Sequence, residues 1–263
     1  MSLPQPNSGA IVVVTGASSG IGTELARGLA RRGYLLLLTA RRRERLAELS
    51  DELRAKHLVT VEVMPLDLAD GAARAKLIDR IGDGPIAGMC NSAGFGTSGP
   101  FHRLRVQSEC DEVIVNALAL MELTHAVPPE MVDRGAGAVL NIASIAGFQP
   151  IPGMAVYSAT KAFVQTFSEA VHEELHGTGV SCTVLCPGPV PTEWADVADA
   201  QQFSVPIVQV SPGEVADAAI VGMLEGKRSV VPGLLPNVVA LAGRFTPRCV
   251  LLPALRHFNA RRR

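Results

Sequence analysis

Two hydrophobic periods alternate along the chain. IVVVT, LLLLTA, VTVEVMPLDL, IAGMC, residues 137–144 and VSCTVLC are short, nearly continuous apolar runs, and KRSVVP is a weaker seventh. Runs of this kind, bounded by Gly, Pro and polar clusters, predict buried strands. Between them lie stretches with apolar residues at helical spacing, ending near residues 33 and 56 and covering about 70–82, 108–127, 155–176 and 212–225. Pro128 and Pro129 are expected to bend the fourth of these. In the fifth, Ala155, Phe163, Phe167 and Val171 form the apolar stripe.

Continuous apolar strands alternating with helices predict an α/β fold: a Rossmann-type, doubly wound parallel sheet of about seven strands with helices on both faces. Its crossovers should be right-handed. No linker or repeat interrupts the alternation, so residues 1–263 are expected to form a single domain, with a basic amphipathic extension at about 234–263.

Composition narrows the possibilities. At 263 residues and 48% hydrophobic, the chain can bury a sizeable core. A net charge of −1 argues against nucleic acid as the main partner. The five cysteines form no CxxC pair, and Cys90, Cys182 and Cys186 sit in apolar runs, which fits reduced core thiols and a cytoplasmic protein. MSLPQPNSGA has neither a basic start nor a long apolar run, so no secretory signal is expected. No window holds the ~18 uninterrupted apolar residues of a membrane span.

The first strand leads through TGASSGIG into a helix, and Gly16, Gly20 and Gly22 there let the backbone approach a pyrophosphate at the helix N-terminus. A tight structural connection would need the same glycines. Roughly 20 residues further on, where a fold reading NAD places an acid, the chain has Ala40 and Arg41. Arginine attracts a 2′-phosphate, and Arg41, Arg42 and Arg43 together at a helix start oppose the macrodipole unless an anion binds there. The expected cofactor is NADP(H). Further along, Ser144 closes the fifth strand, and Tyr157 and Lys161 lie one turn apart on one helix face. A nearby ammonium favours phenolate, which would turn Tyr157 into a general acid/base. Alone, Tyr-x3-Lys is equally an aromatic stem packed beside a solvated lysine.

TGASSGIG (15–22), NSAG (91–94), Asn116, Ser144, YSATK (157–161) and PGPVPT (187–192) occur in this order over about residues 10–232. Together they resemble the short-chain dehydrogenase/reductase family in its TGxxxGxG, YxxxK form. The resemblance implies that Gly16, Ser18, Gly20, Ile21 and Gly22 line the pyrophosphate and adenosine ribose, with Ser18 and Arg41 near the 2′-phosphate. It implies Asp67 at the adenine and Asn91, Ala93 and Gly94 along the cofactor. Pro187, Gly188 and Thr192 would meet the nicotinamide carboxamide. Ser144 would hydrogen-bond the substrate carbonyl, Tyr157 would deliver the proton, and Lys161 would bind ribose and depress the tyrosine's pKa. Asn116 would hold a relay water. Ser92 departs from the second Asn common in the family.

Substrate choice is expected to lie in 95–101, 145–155 and 193–210. These carry Phe95, Phe101, Ile145, Phe148, Ile151, Met154, Trp194, Phe203, Val205 and Ile207, which favours a lipophilic carbonyl compound. A non-catalytic dinucleotide sensor on the same fold is the alternative. His172 and His176 read as surface residues. The apolar helices at 108–127 and 156–176 predict a homodimer or homotetramer. From residue 226 onward there is no Asp or Glu. Pro236, Pro247 and Pro253 are expected to cut this tail into short pieces that cover the pocket, with a peripheral membrane contact as the less favoured reading.

Overall fold

The computed structural model describes residues 3–6, 9–200 and 209–260, with side chains up to residue 256. Seven strands form one sheet in the order β3-β2-β1-β4-β5-β6-β7, and every neighbouring pair is parallel. They are β1 (Ile11–Thr15), β2 (Leu35–Ala40), β3 (Val61–Pro65), β4 (Ile86–Asn91), β5 (Gly137–Ile142), β6 (Val180–Leu185) and β7 (Ser229–Val230). The third strand stops at Pro65 rather than at Asp67, and the seventh has only two residues.

Alternation along each strand divides the core between the two faces. Val12, Val14, Leu36 and Leu38 meet α1 (Gly20–Arg31), α2 (Arg43–His57) and α9 (Pro212–Leu224) through Leu25, Leu29, Leu46, Leu53 and Ile220. Val13, Leu37, Met89 and Val139 point the other way. They meet α3 (Gly71–Gly82), α5 (Leu120–Ala126) and α6 (Pro128–Arg134) through Leu77, Ile81, Leu123 and Met131. Burial of central strands on both faces explains their unbroken apolar runs.

The order reverses at β1, whose neighbours β2 and β4 leave in opposite directions. The crevice beyond the strand ends at such a reversal is where ligands bind in this class of sheet. Two backbone turns meet there. Gly16 has φ of 66°, and a Cβ on it would stand 2.8 Å from Ala93 Cα. Thr15 Oγ1 accepts the N–H groups of Ser92 and Ala93, each at 3.0 Å, and so ties the β4 loop to the glycine turn.

The helix expected at 108–127 is more complex. It runs as α4 (Val106–Val113), then a π-helical turn over Ile114–Ala119, then α5. The prolines do not bend it: Pro128 and Pro129 open α6, where a missing N–H costs nothing. After α7 (Ala155–Glu174) and a short α8 (Trp194–Val197), the tail forms two helices, α10 (Leu234–Phe245) and α11 (Arg248–Ala260). Pro236 stands in the first turn of α10 and Pro253 lies inside α11, so the expected short pieces are instead helices of 12 and 13 residues. His172 is half-buried, with Nδ1 2.9 Å from the Cys182 carbonyl oxygen, which corrects its reading as a surface residue.

Candidate active site

A cleft of about 620 Å³ opens over the ends of β1 and β4. Gly16, Ser18, Gly20, Ile21, Gly22, Arg41 and Asp67 line one end; Ala93, Gly94, Pro187, Gly188 and Thr192 line the middle; Ser144, Tyr157 and Lys161 line the other end. Residues from seven separate stretches of chain thus meet in one crevice.

At the glycine end, Gly22 lies directly beneath the Gly16 carbonyl, so that any side chain on it would strike backbone. The α1 N-cap, Ser19, makes no side-chain cap bond, which leaves first-turn N–H groups for an anion. Arg42, rather than Arg41, is built into this end. Its Nε donates to Ser18 Oγ at 3.2 Å and its Nη2 to the Ser18 carbonyl at 3.2 Å. Its Nη1 meets Glu193 Oε2 at 2.7 Å, and Arg45 Nη1 meets Glu193 Oε1 at 2.5 Å. Glu193 thereby holds the loop after β6 across the cleft, and the arginine pair pulls its carboxyl below the usual range. The fit to a phosphorylated adenosine is direct: a cradle that a Cβ would fill, and an arginine held by Ser18 that already engages a carboxylate anion.

At the far end, α7 presents Tyr157, 8% exposed, and Lys161, 5% exposed, on one face. Lys161 Nζ donates to the Ile142 carbonyl at 2.8 Å and lies 5.8 Å from the centre of the Tyr157 ring. The Ser144 hydroxyl, at the end of the β5 segment, stands 3.5 Å from the Pro187 carbonyl and accepts from Ala146 N–H at 3.1 Å. Burial pushes the Tyr157 phenol above its ordinary value, opposed by Ser144 and reinforced by the charge of Glu112. Burial lowers Lys161 to about 8, opposed by Glu112 and Cys186. Desolvation, and not the neighbouring ammonium, therefore dominates Tyr157 here, and the phenol stays protonated through neutrality.

Two expected residues do not themselves line the cleft. Asn91 does not line the cleft; its Nδ2 donates to Thr124 Oγ1 at 3.1 Å and Asn141 Oδ1 at 2.9 Å, bracing β4 against β5 from the interior. Asn116 is fully buried in the π turn. Its Oδ1 accepts Phe95 N–H at 3.1 Å, while Nδ2 donates to the Phe95 carbonyl at 2.8 Å and Thr160 Oγ1 at 3.2 Å. The side chain clamps the β4 loop to α7. Gly94 packs directly on it: a Cβ there would lie 3.0 Å from Asn116 Oδ1 and 3.4 Å from Lys161 Nζ.

The apolar set also divides. Phe95, Ile145, Ile151, Met154 and Trp194 line the cleft, joined by Val115, Val239 and Leu255. Trp194 packs on Tyr157 with ring centres 4.8 Å apart. Phe101 is instead exposed, and Phe148 packs with Leu120 and Val184. Phe203, Val205 and Ile207 lie outside the described residues.

Sequence reading missed an acidic cluster beside the site. Glu112 is fully buried on α4, one turn before Asn116. Thr97 Oγ1 donates to Glu112 Oε2 at 2.9 Å and lies 2.5 Å from Glu109 Oε1, while Glu112 Oε1 has no hydrogen-bond partner among the described residues. Burial raises the Glu112 carboxyl from 4.5 to about 7, against the Thr97 bond and the Lys161 charge and with help from Glu109. Between these two values the unfolded chain has already lost a proton that the folded chain retains, so stability falls as pH rises through that window. Glu112→Gln should flatten this decline and narrow the gap between melting temperatures at about pH 5 and 8 by roughly 5 °C relative to wild type. An unchanged gap in calorimetry would show that Glu112 does not titrate there.

The short chain dehydrogenase profile matches residues 10–202. Sulfoacetaldehyde reductase 2 of Chromohalobacter salexigens is 39% identical over 70% of this chain and 74% of its own length. The very-long-chain 3-oxoacyl-CoA reductase of Bos taurus is 35% identical over 73% of this chain and 63% of its own. Among solved structures, a short-chain dehydrogenase from Sphingobium yanoikuyae in complex with NADPH matches with a TM-score of 0.82 at 35% identity, covering 93% of this chain and 95% of that one. Fold, profile and relatives together define an oxidoreductase acting on CH–OH groups. Within that class, the chain belongs to the short-chain dehydrogenase family.

Proposed function

We propose that this protein is an NADP(H)-dependent reductase of a lipophilic carbonyl compound, with 3-oxoacyl thioesters as the favoured class. The observation that carries this reading is the convergence of Ser144, Tyr157 and Lys161 at one end of a cleft whose other end holds the Ser18–Arg42 pair. NADPH would supply the hydride. Gly16, Ser18, Gly20, Ile21, Gly22, Arg42 and Asp67 would hold its adenosine end, with Arg41 flanking. Ala93, Gly94, Pro187, Gly188 and Thr192 would hold the nicotinamide end. Ser144 orients the carbonyl oxygen, Tyr157 gives it a proton, and Lys161 positions the ribose and the phenol. Asn116 fixes the β4 loop beneath them. Support for the cofactor comes from the NADPH complex of the Sphingobium relative, and support for the acyl class from the bovine relative together with the aliphatic lining.

The test is NADPH oxidation against 3-oxoacyl thioesters of graded chain length, with sulfoacetaldehyde as the polar comparison. We expect kcat/KM to rise with chain length; a preference for sulfoacetaldehyde would refute the lipophilic assignment. The buried free thiols, pushed up to about 12 at Cys90, Cys182 and Cys186, fit a reducing cytoplasmic setting. Val113, Leu118 and Met121 on one helical stretch and Phe163 on α7 leave exposed apolar area that suits self-association. Light scattering at micromolar concentration should give a dimer or tetramer, and a monomer would rule that out.

A further inference from the structure

α10 has two faces with different neighbours. Pro236, Ala240 and Gly243 are buried, and a Cβ on Gly243 would meet Gln149 Oε1 at 2.7 Å. Val239 and, from α11, Leu255 reach the cleft, so the pair covers the pocket from the inside. The outer face is Leu234, Val238, Leu241 and Phe245, spaced i, i+4, i+7, i+11 and exposed by 85, 53, 55 and 74%. Spacing of that kind makes one continuous apolar stripe. Arg244 stands beside it on α10, and Arg248 and Arg256 on α11 are exposed as well.

The charge along the chain is sharply divided. All 25 acidic and 16 of the 24 cationic residues precede residue 226, a net of −9, whereas the remainder carries eight cations and no acid, a net of +8. We propose that the outer face of α10 and α11 is a peripheral docking surface for an anionic lipid bilayer. The stripe enters the headgroup layer and the arginines pair with lipid phosphates. Among the described residues no helix is long and apolar enough to cross a membrane, so the contact is at the interface. A second copy fits less well, because a two-fold contact through this face would bring together two copies of a segment that carries cations and no acid. Since the same helices roof the cleft, docking places that roof at the lipid surface. That placement of the roof, and not the docking itself, gains its purpose from the proposed lipophilic substrate.

The experiment is co-sedimentation of the full chain with vesicles of phosphatidylcholine alone or mixed with phosphatidylglycerol, at low and high salt. Reduction of a water-soluble ketone by NADPH is followed in the same samples. Wild type should bind only the mixed vesicles, and high salt should release it. Leu241→Asp with Phe245→Asp, and separately Arg244→Gln with Arg248→Gln, should each weaken binding by at least about tenfold. Both pairs are exposed, so melting temperature and ketone reduction should be unchanged. No binding to mixed vesicles, or binding indifferent to both variants, would overturn the proposal. So would a dimer abolished by Leu241→Asp, which would assign the face to a second copy. Loss of ketone reduction in wild type would count against the enzymatic reading and leave the vesicle result standing.

Discussion

Tyr157→Phe should lower turnover by about 10³-fold while NADPH affinity stays within roughly twofold. The substitution removes one oxygen from a ring that is packed against Trp194 and over Gly96, where a Cβ would stand 3.0 Å from Tyr157 Cδ2. Nothing in that packing depends on the hydroxyl, so the fold and the cofactor end should be unaffected. The direction of the phenol's shift adds a pH signature. Burial keeps it protonated, the form needed to deliver a proton to a carbonyl. Reduction should therefore be nearly flat with pH from about 6 to 7.5, and any loss near 8 would report Lys161. Oxidation of the alcohol needs the deprotonated phenol and should rise with pH over the same range. A Phe variant keeping more than about a tenth of wild-type turnover would place proton transfer elsewhere.

Arg42→Ala should weaken NADPH binding by about 10- to 100-fold and NADH binding much less, because charge-assisted hydrogen bonds contribute roughly 1.5–3 kcal/mol. Arg41 lines the cleft without the bonds that fix Arg42, so Arg41→Ala should cost less. Glu193 sharpens the test. Its ion pairs are half-exposed and contribute little to stability, yet its carboxylate occupies the guanidinium that a 2′-phosphate would use. Glu193→Gln should accordingly tighten NADPH binding. Equal losses for the two cofactors in Arg42→Ala, measured by fluorescence titration, would remove this arginine from phosphate recognition.

The contrast between Arg41 and Arg42 also shows where sequence reading ends. Apolar runs and helical spacing are local properties, and so the buried strands were legible, as was the one-face pairing of Tyr157 with Lys161. Which of three consecutive arginines is bonded to Ser18 depends on the backbone leaving β2, where Arg42 becomes the N-cap of α2 with extended φ and ψ. The contacts of Asn91 and Asn116 are tertiary, reaching residues 33, 50, 21 and 44 positions away, and no periodicity encodes them. The Thr97–Glu109–Glu112 cluster was hidden for a different reason. On a helix surface those acids would look like ordinary solvated charges, and only the packing of α4 against α7 buries Glu112. The tail helices were misread because Pro236 occupies a first turn, where proline is tolerated, and because one interior proline did not end α11.

The π turn at Ile114–Ala119 constrains the length of the chain as well as its chemistry. α4, the turn and α5 form one unbroken run of helical backbone from Val106 to Ala126. Each residue in such a run advances the side-chain direction by about 100°. Loss of a residue between Val113 and Asn116 that left the wide turn in place would rotate everything before it by about that angle relative to Asn116. Glu112 would swing away from Thr97, and the exposed Val113 would turn toward a different neighbour. Insertions and deletions should therefore be excluded from 106–126 while the surface turn at 83–85, between α3 and β4, accepts them.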